Sequence, residues 1–260
     1  MRREEIRVVE RLQPAPDCVE LVVEFPGDES PAPGQFYMLA AGDGRDTYLP
    51  RPFSFYRTFS PRRLSFLFRV VGPGTQALAA VRARDRLQAM GPLGHGFPLP
   101  DRPIRAVLVG CGVGVPPLWS LGRALLQRGC EVTALIGAKT QSGLLGQAEL
   151  LALGARVLVA TDDGSKGHQG PVTELLARLL PESLYACGPE PMLRAVQAFA
   201  ASRPVPDTYL ALEAAMACGY GVCLGCAVER AKPDPELGDY GAYTRVCREG
   251  PVFRWDEVKL

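Results

Sequence analysis

The sequence predicts a β plus α/β chain in three unlike parts. These are an antiparallel β-barrel over residues 1–102, a Rossmann-like parallel-sheet domain over 103–205, and a small cysteine-bearing domain over 206–260. Three observations predict it. Short β-branched runs punctuated by Gly and Pro fill the first hundred residues, strand–helix alternation fills the next hundred, and four of the eight cysteines fall in the remainder.

In the first part, Cys18–Phe25 alternates and is rich in Val, and Gln35–Ala40, Arg51–Arg57 and Leu64–Val71 follow at turn-separated intervals. Only Thr75–Arg82 reads as helical there, so the strands are expected to close on one another as a small barrel. At Pro103 the grammar changes. Ile104–Val109 is a continuous apolar run, followed by a helix over Pro117–Arg128. Strands Val132–Ile136, Arg156–Thr161 and Leu184–Cys187 then alternate with helices Leu144–Leu153, Val172–Leu180 and Pro191–Ala201. Strands that are apolar throughout belong in a parallel sheet covered on both faces, and Tyr209–Leu212 would add one more.

Composition narrows the function. Lys plus Arg is 29 against 28 for Asp plus Glu, so a net charge of +1 leaves no broad footprint for nucleic acid. The longest uncharged run, Ala106–Gly122, contains four glycines and two adjacent prolines and is not a membrane span. The opening MRREEIRVVE lacks the apolar core of a secretion signal. A chain this rich in apolar residues needs no disulfide staples, so clustered cysteines predict metal in a reducing, cytoplasmic compartment.

The cysteine spacing is the most specific signal. Cys218-x4-Cys223-x2-Cys226, then Cys247 after twenty residues, is the plant-ferredoxin type of spacing for a 2Fe–2S cluster. Gly219, Gly221 and Gly225 would let the loop wrap tightly and aim N–H groups at sulfur. Zinc is the alternative, but structural zinc favours paired C-x2-C knuckles and only one such pair is present.

Two motifs in the barrel suit a flavin nucleotide. In Arg51-Pro52-Phe53-Ser54, a strand Arg offers planar donors to a pyrophosphate, Phe53 can lie against an isoalloxazine, and Ser54 can bond a ring heteroatom. Gly72-Pro73-Gly74-Thr75 opens a helix as a phosphate seat would, although a plain capped turn has the same residues. In the α/β unit, Gly110-Cys111-Gly112-Val113-Gly114 sits where a dinucleotide loop belongs but departs from G-x-G-x-x-G. Cys187-Gly188-Pro189 is a second glycine turn at the same sheet edge, so Cys111 and Cys187 are candidates to line a nicotinamide pocket. Asp162-Asp163-Gly164 could accept from an adenosine ribose and repel a 2′-phosphate, favouring NAD, or be a simple Asp-Gly turn. Neither His95 nor His168 is assigned a role.

Taken in order, Arg51–Ser54, Gly72–Thr75, Gly91–Gly94, Gly110–Gly114 and Cys187–Pro189 resemble the ferredoxin–NADP reductase-like superfamily. The tail, Leu212-Glu213-Ala214-Ala215-Met216-Ala217-Cys218-Gly219 through Cys226 and then Cys247-Arg248-Glu249-Gly250-Pro251-Val252-Phe253, is similar to the electron-transfer subunits of NAD-dependent dihydroorotate dehydrogenase B. That resemblance implies FAD in the barrel, held by Arg51 to Ser54, Leu67, Phe68, Arg69, Gly74 and Thr75. It implies NAD on the α/β domain, and a 2Fe–2S cluster on Cys218, Cys223, Cys226 and Cys247. It further implies an FMN-containing partner that oxidises dihydroorotate to orotate in pyrimidine biosynthesis, in a heterotetramer with two copies of each chain. Lys232–Tyr240 makes the approach to Cys247 longer than the family's usual spacing and reads as an inserted loop. A related subunit of sulfide dehydrogenase or of NADH-dependent ferredoxin–NADP oxidoreductase, and a zinc-stabilised nucleotide-binding scaffold, are the other readings.

Overall fold

Six strands curl into a closed antiparallel barrel at the start of the chain. The structure is a computed structural model that describes residues 2–42, 49–203, 205 and 207–260. The barrel comprises β1 (Arg2–Ala15), β2 (Cys18–Glu24), β3 (Phe36–Ala41), β4 (Arg51–Ser60), β5 (Arg63–Arg69) and, after helix α1 (Pro73–Ala79), β6 (Arg86–Leu93). Their spatial order is β1-β2-β5-β4-β3-β6, with β6 pairing back to β1. Two of these strands were not expected. In β1, Ile6 and Val8 turn inward between Arg and Glu, and two register shifts break the period-two pattern that would reveal a strand. β6 buries Leu87, Ala89, Gly91 and Leu93 on one face, but Gly91-Pro92 near its end reads as a breaker. The barrel interior is filled by Leu21, Val23, Tyr37, Leu39, Leu64, Phe66 and their neighbours. On the outer face of β2, Glu20, itself buried, accepts a two-pronged pair from Arg57 at 2.7 Å.

The second unit is a sheet built from β7 (Arg105–Cys111), β8 (Glu131–Ala138), β9 (Arg156–Thr161), β10 (His168–Gln169), β11 (Ser183–Cys187) and β12 (Asp207–Ala211). These strands are parallel. Helices α2 (Val115–Gln127), α3 (Gln147–Ala152) and α4 (Glu190–Ser202) cover it. Two expected helices differ. The one over 144–153 starts only at Gln147, because Gly146 before it is left-handed (φ 71°). The one over 172–180 is a 3₁₀ segment, Val172–Arg178, confined between Pro171 and Pro181.

The last segment folds as a short hairpin, β13 (Ala227–Glu229) with β14 (Tyr243–Arg245), and a strand β15 (Val252–Arg254). β15 pairs antiparallel with β12, giving the sheet order β10-β9-β8-β7-β11-β12-β15. The expected break between residues 205 and 206 therefore falls before the last parallel strand, and Pro206 itself lies outside the described residues. Residues beyond β12 do not make a core of their own. Cys226, Val246, Cys247, Phe253 and Val258 share one cluster with Phe36, Met38 and Leu93 of the barrel and with Val107, Leu184 and Leu210 of the sheet. A segment of about 50 residues has too little interior to stand alone, so it borrows one. Among the described residues no helix is long and apolar enough to cross a membrane.

Candidate functional site

The sheet reverses direction between β7 and β11: β8 and β9 extend to one side of β7, β11 and β12 to the other. The C-terminal ends of strands at such a reversal form the crevice where α/β sheets bind ligands. Gly112–Gly114 and Cys187–Pro189 both sit there, and the barrel closes the crevice from above.

A cavity of about 390 Å³ opens at this junction. Pro52, Phe53, Ser54, Leu67, Phe68, Arg69 and Thr75 line it from the barrel, and Val113, Pro116 and Cys187 from the sheet edge. Leu212, Glu213, Ala214, Met216 and Pro251 line it from the cysteine-bearing segment. Phe53 and Phe68 form an apolar wall, their ring centroids 4.9 Å apart. Arg51 packs on Gly74: a Cβ there would lie 2.6 Å from the guanidinium and would push it aside. Thr75 lines the cavity, but its hydroxyl accepts from Val71 N (2.9 Å) and Gly72 N (3.0 Å) and donates to Gly72 O. Its hydroxyl therefore holds the turn rather than standing free for a phosphate.

The glycine loop works differently from the expectation. At Gly114 a Cβ would sit 2.2 Å from the Cys187 carbonyl oxygen, so this glycine lets the loop press on the end of β11. Pro116 and Pro117 then occupy the first turn of α2 and remove two of its N–H groups. That helix end is thus a poorer anion seat than a usual dinucleotide helix. Gly110 packs under Leu118, while Gly112 faces Arg69 across the crevice. Cys187 lines the cavity, buried, with its thiol held well above the usual range by desolvation. Cys111 does not. Gly110, not Cys111, is in register with Cys187, so Cys111 points to the opposite face of the sheet, towards Gly137 and Val172. Burial pushes its thiol up to about 11.

Gly188 and Pro189 turn from β11 into α4. Asp163 Oδ1 accepts from Ser165 N (2.9 Å) and Oγ (2.6 Å), and those bonds hold its carboxyl below the usual range. Asp162, exposed like Asp163, directly follows β9.

Glu213 was not singled out by the sequence reading. Desolvation raises its carboxyl above the usual value, with Arg69 partly opposing. The signal that could have found it is a lone carboxylate in the apolar run Tyr209–Met216, just past a strand's C-terminal end.

Beyond Met216 the chain enters the cysteine loop. Cys218 lies two residues on, so its Cα is at most about 7 Å from that of a cavity-lining residue. Gly219 (φ 78°) packs on Met38, where a Cβ would fall 2.6 Å from Cγ. The four sulfurs gather in two pairs. The Cys218 thiol neighbours Cys223 and the Cys226 thiol neighbours Cys247, whose N–H donates to Cys226 Sγ at 3.4 Å. Burial works against the Cys218 thiolate, yet N–H groups of Cys223, Tyr220 and Val222 hold this thiol down at about 6. Burial and the neighbouring Cys226 push Cys247 up to about 12. Among the described residues no three such ligands converge on one point. Two pairs fit two irons with two thiolates each, whereas one zinc would need all four around a single centre. The inserted stretch, Lys232–Tyr240, lies at the tip of the β13–β14 hairpin and does not separate Cys247 from Cys226.

Comparison with known proteins agrees. Residues 213–259 match the iron–sulfur cluster binding domain of dihydroorotate dehydrogenase B, and 108–198 match an oxidoreductase NAD-binding domain. The chain is 41% identical to the electron transfer subunit of dihydroorotate dehydrogenase B (NAD(+)) from Geobacillus thermodenitrificans, over 88% of this chain and 87% of that one. It is 37% identical to the subunit of the same name from Listeria innocua, over the full length of both. Among solved structures, that of an NADH-dependent reduced ferredoxin–NADP oxidoreductase superposes with a TM-score of 0.84 at 26% identity, covering 97% of this chain and 89% of the other. The ferredoxin reductase of carbazole 1,9a-dioxygenase shares the fold, with a TM-score of 0.71 over 80% of this chain and 68% of the other, at 20% identity.

Proposed function

The chain belongs to the family of electron-transfer subunits of NAD(+)-dependent dihydroorotate dehydrogenase B, and on that premise we propose that it takes electrons from a dihydroorotate-oxidising partner at the cysteine loop and delivers them to NAD⁺ in the 390 Å³ cavity. The observation that carries this reading is the cavity itself, which barrel, sheet edge and the approach to Cys218 build together. When bound, a 2Fe–2S cluster moves electrons singly, and FAD stores two and exchanges hydride with NAD⁺.

The chain's own residues bind, orient and exclude water. Arg51 and the turn at Gly74 hold the flavin's pyrophosphate, Phe53 and Phe68 give its ring an apolar wall, and Ser54 bonds its edge. Cys187 and Val113 shape the nicotinamide side. Asp162 is the ribose acceptor and favours NAD⁺ over NADP⁺. Cys218 and Cys223 hold one iron, Cys226 and Cys247 the other. The exposed Cys223, flanked by exposed Tyr220, Val222 and Leu224, marks the surface where the partner docks. That partner carries FMN, in an assembly of two copies of each chain. All eight cysteines are free, which suits the cytoplasm.

The reading as a ferredoxin–NADP oxidoreductase subunit is disfavoured by the lower identity, 26% against 41%. Iron, sulfide and flavin analysis of the anaerobically purified complex tests the proposal. Two irons, two sulfides and one FAD per chain are expected, and zinc or a colourless protein would refute it.

A further inference from the structure

We propose that Arg245 is a positioning residue for the iron–sulfur cluster, clasping the Gly221 carbonyl so that the 218–226 loop presents its N–H groups to the sulfurs of both cysteine pairs. The inference rests on the cluster reading above and goes beyond it.

Arg245 ends β14, two residues before Cys247. Its Nη1 donates to Gly221 O at 2.8 Å. The rest of the side chain is fixed by a single carboxylate: Nε donates to Glu249 Oε2 at 3.0 Å, Nη2 pairs with Oε1, and the Arg245 backbone N–H adds a 2.9 Å bond to Oε2. Glu249 is thus committed to aiming the guanidinium. A planar fork can grip a carboxylate on one edge and a carbonyl with the remaining nitrogen, which an ammonium cannot do in one fixed geometry.

Gly221 is the peptide on which this acts. It is left-handed (φ 90°), and a Cβ there would meet the Arg248 side chain at 2.8 Å, so the turn requires glycine. Its N–H faces Cys247 while its C=O faces Arg245. The N–H groups of Tyr220, Val222 and Cys223 beside it face Cys218. The guanidinium–carbonyl bond fixes the 221–222 peptide plane, and with it the Val222 N–H that faces Cys218, in the middle of a loop whose other N–H groups reach both pairs. N–H groups aimed at cluster sulfurs favour the more negative, reduced state and raise the reduction potential.

The test uses the full chain purified anaerobically, with an EPR-monitored redox titration and iron and sulfide assays. In Arg245→Met, which keeps all four cysteines, the reduced-to-oxidised ratio at the wild-type midpoint should fall about tenfold, or 59 mV for one electron. Arg245→Lys, which restores charge without the fork, should recover part of that shift but not all. An unchanged midpoint in Arg245→Met at full iron content overturns the proposal. If Arg245→Met holds no iron, Arg245→Lys decides: a midpoint below wild type supports the clasp, and one equal to wild type overturns it. Wild-type protein without iron would instead sink the cluster reading, which the assays report separately.

Discussion

Arg51 shows how much one side chain is asked to do. It is half-buried, donates through Nη1 to Leu49 O at 2.5 Å, and rests on Gly74, beside the cavity-lining Pro52 and Thr75. Arg51→Ala should weaken FAD binding about thirtyfold, the equivalent of ~2 kcal/mol for a charge-assisted hydrogen bond, measured by flavin titration of the stripped protein. Glu213 offers a second test. Its carboxyl is raised by burial, so the folded state binds its proton more tightly than the unfolded chain does. Stability from this group is complete below the unfolded value and is lost as pH rises through the folded one. Glu213→Gln should therefore melt like the parent near pH 4 and above it by pH 7. Thermal melts of both proteins across that range measure the divergence. The four cysteines proposed as ligands and the Arg51–Ser54 motif stood out as candidates because their chemistry is written in spacing. Glu213 was not, since only the fold shows that an apolar run after β12 borders the cavity.

At the scale of elements, legibility followed the local pattern. The strand Arg156–Thr161 agrees residue for residue with its expectation, because an apolar run between turns has one reading in an α/β context. β1 hid behind its charges, and β6 behind Gly91-Pro92. β15 was missed because three residues carry no period; it forms only because the edge of β12 is there to receive it. Its Phe253 is 5% exposed and covers Gly250, where a Cβ would fall 2.4 Å from the ring. Phe253→Ala should cost about 3–5 kcal/mol, read from the shift in a urea midpoint at constant slope. It should also release iron more readily to a chelator, since the cysteine segment shares that core.

For the whole molecule, function lies in the line from the exposed Cys223 to the cavity. Cys223→Ser should bring dihydroorotate-driven NAD⁺ reduction in the complex to background while NADH oxidation by an artificial acceptor stays near wild type. Retained coupled turnover, followed at 340 nm, would contradict a relay through this loop. The sequence by itself determined the three kinds of structure and offered the cysteine spacing and the candidate flavin and nucleotide motifs, because hydrophobic period, glycine placement and cysteine spacing are local. Only the tertiary structure decided that the last segment shares its core with both other units, that Cys111 turns away from the site while Cys187 faces it, and that Glu213 and Arg245 stand where they do. Those outcomes depend on strand register and on which surfaces bury one another, and neither is set by any short stretch of chain.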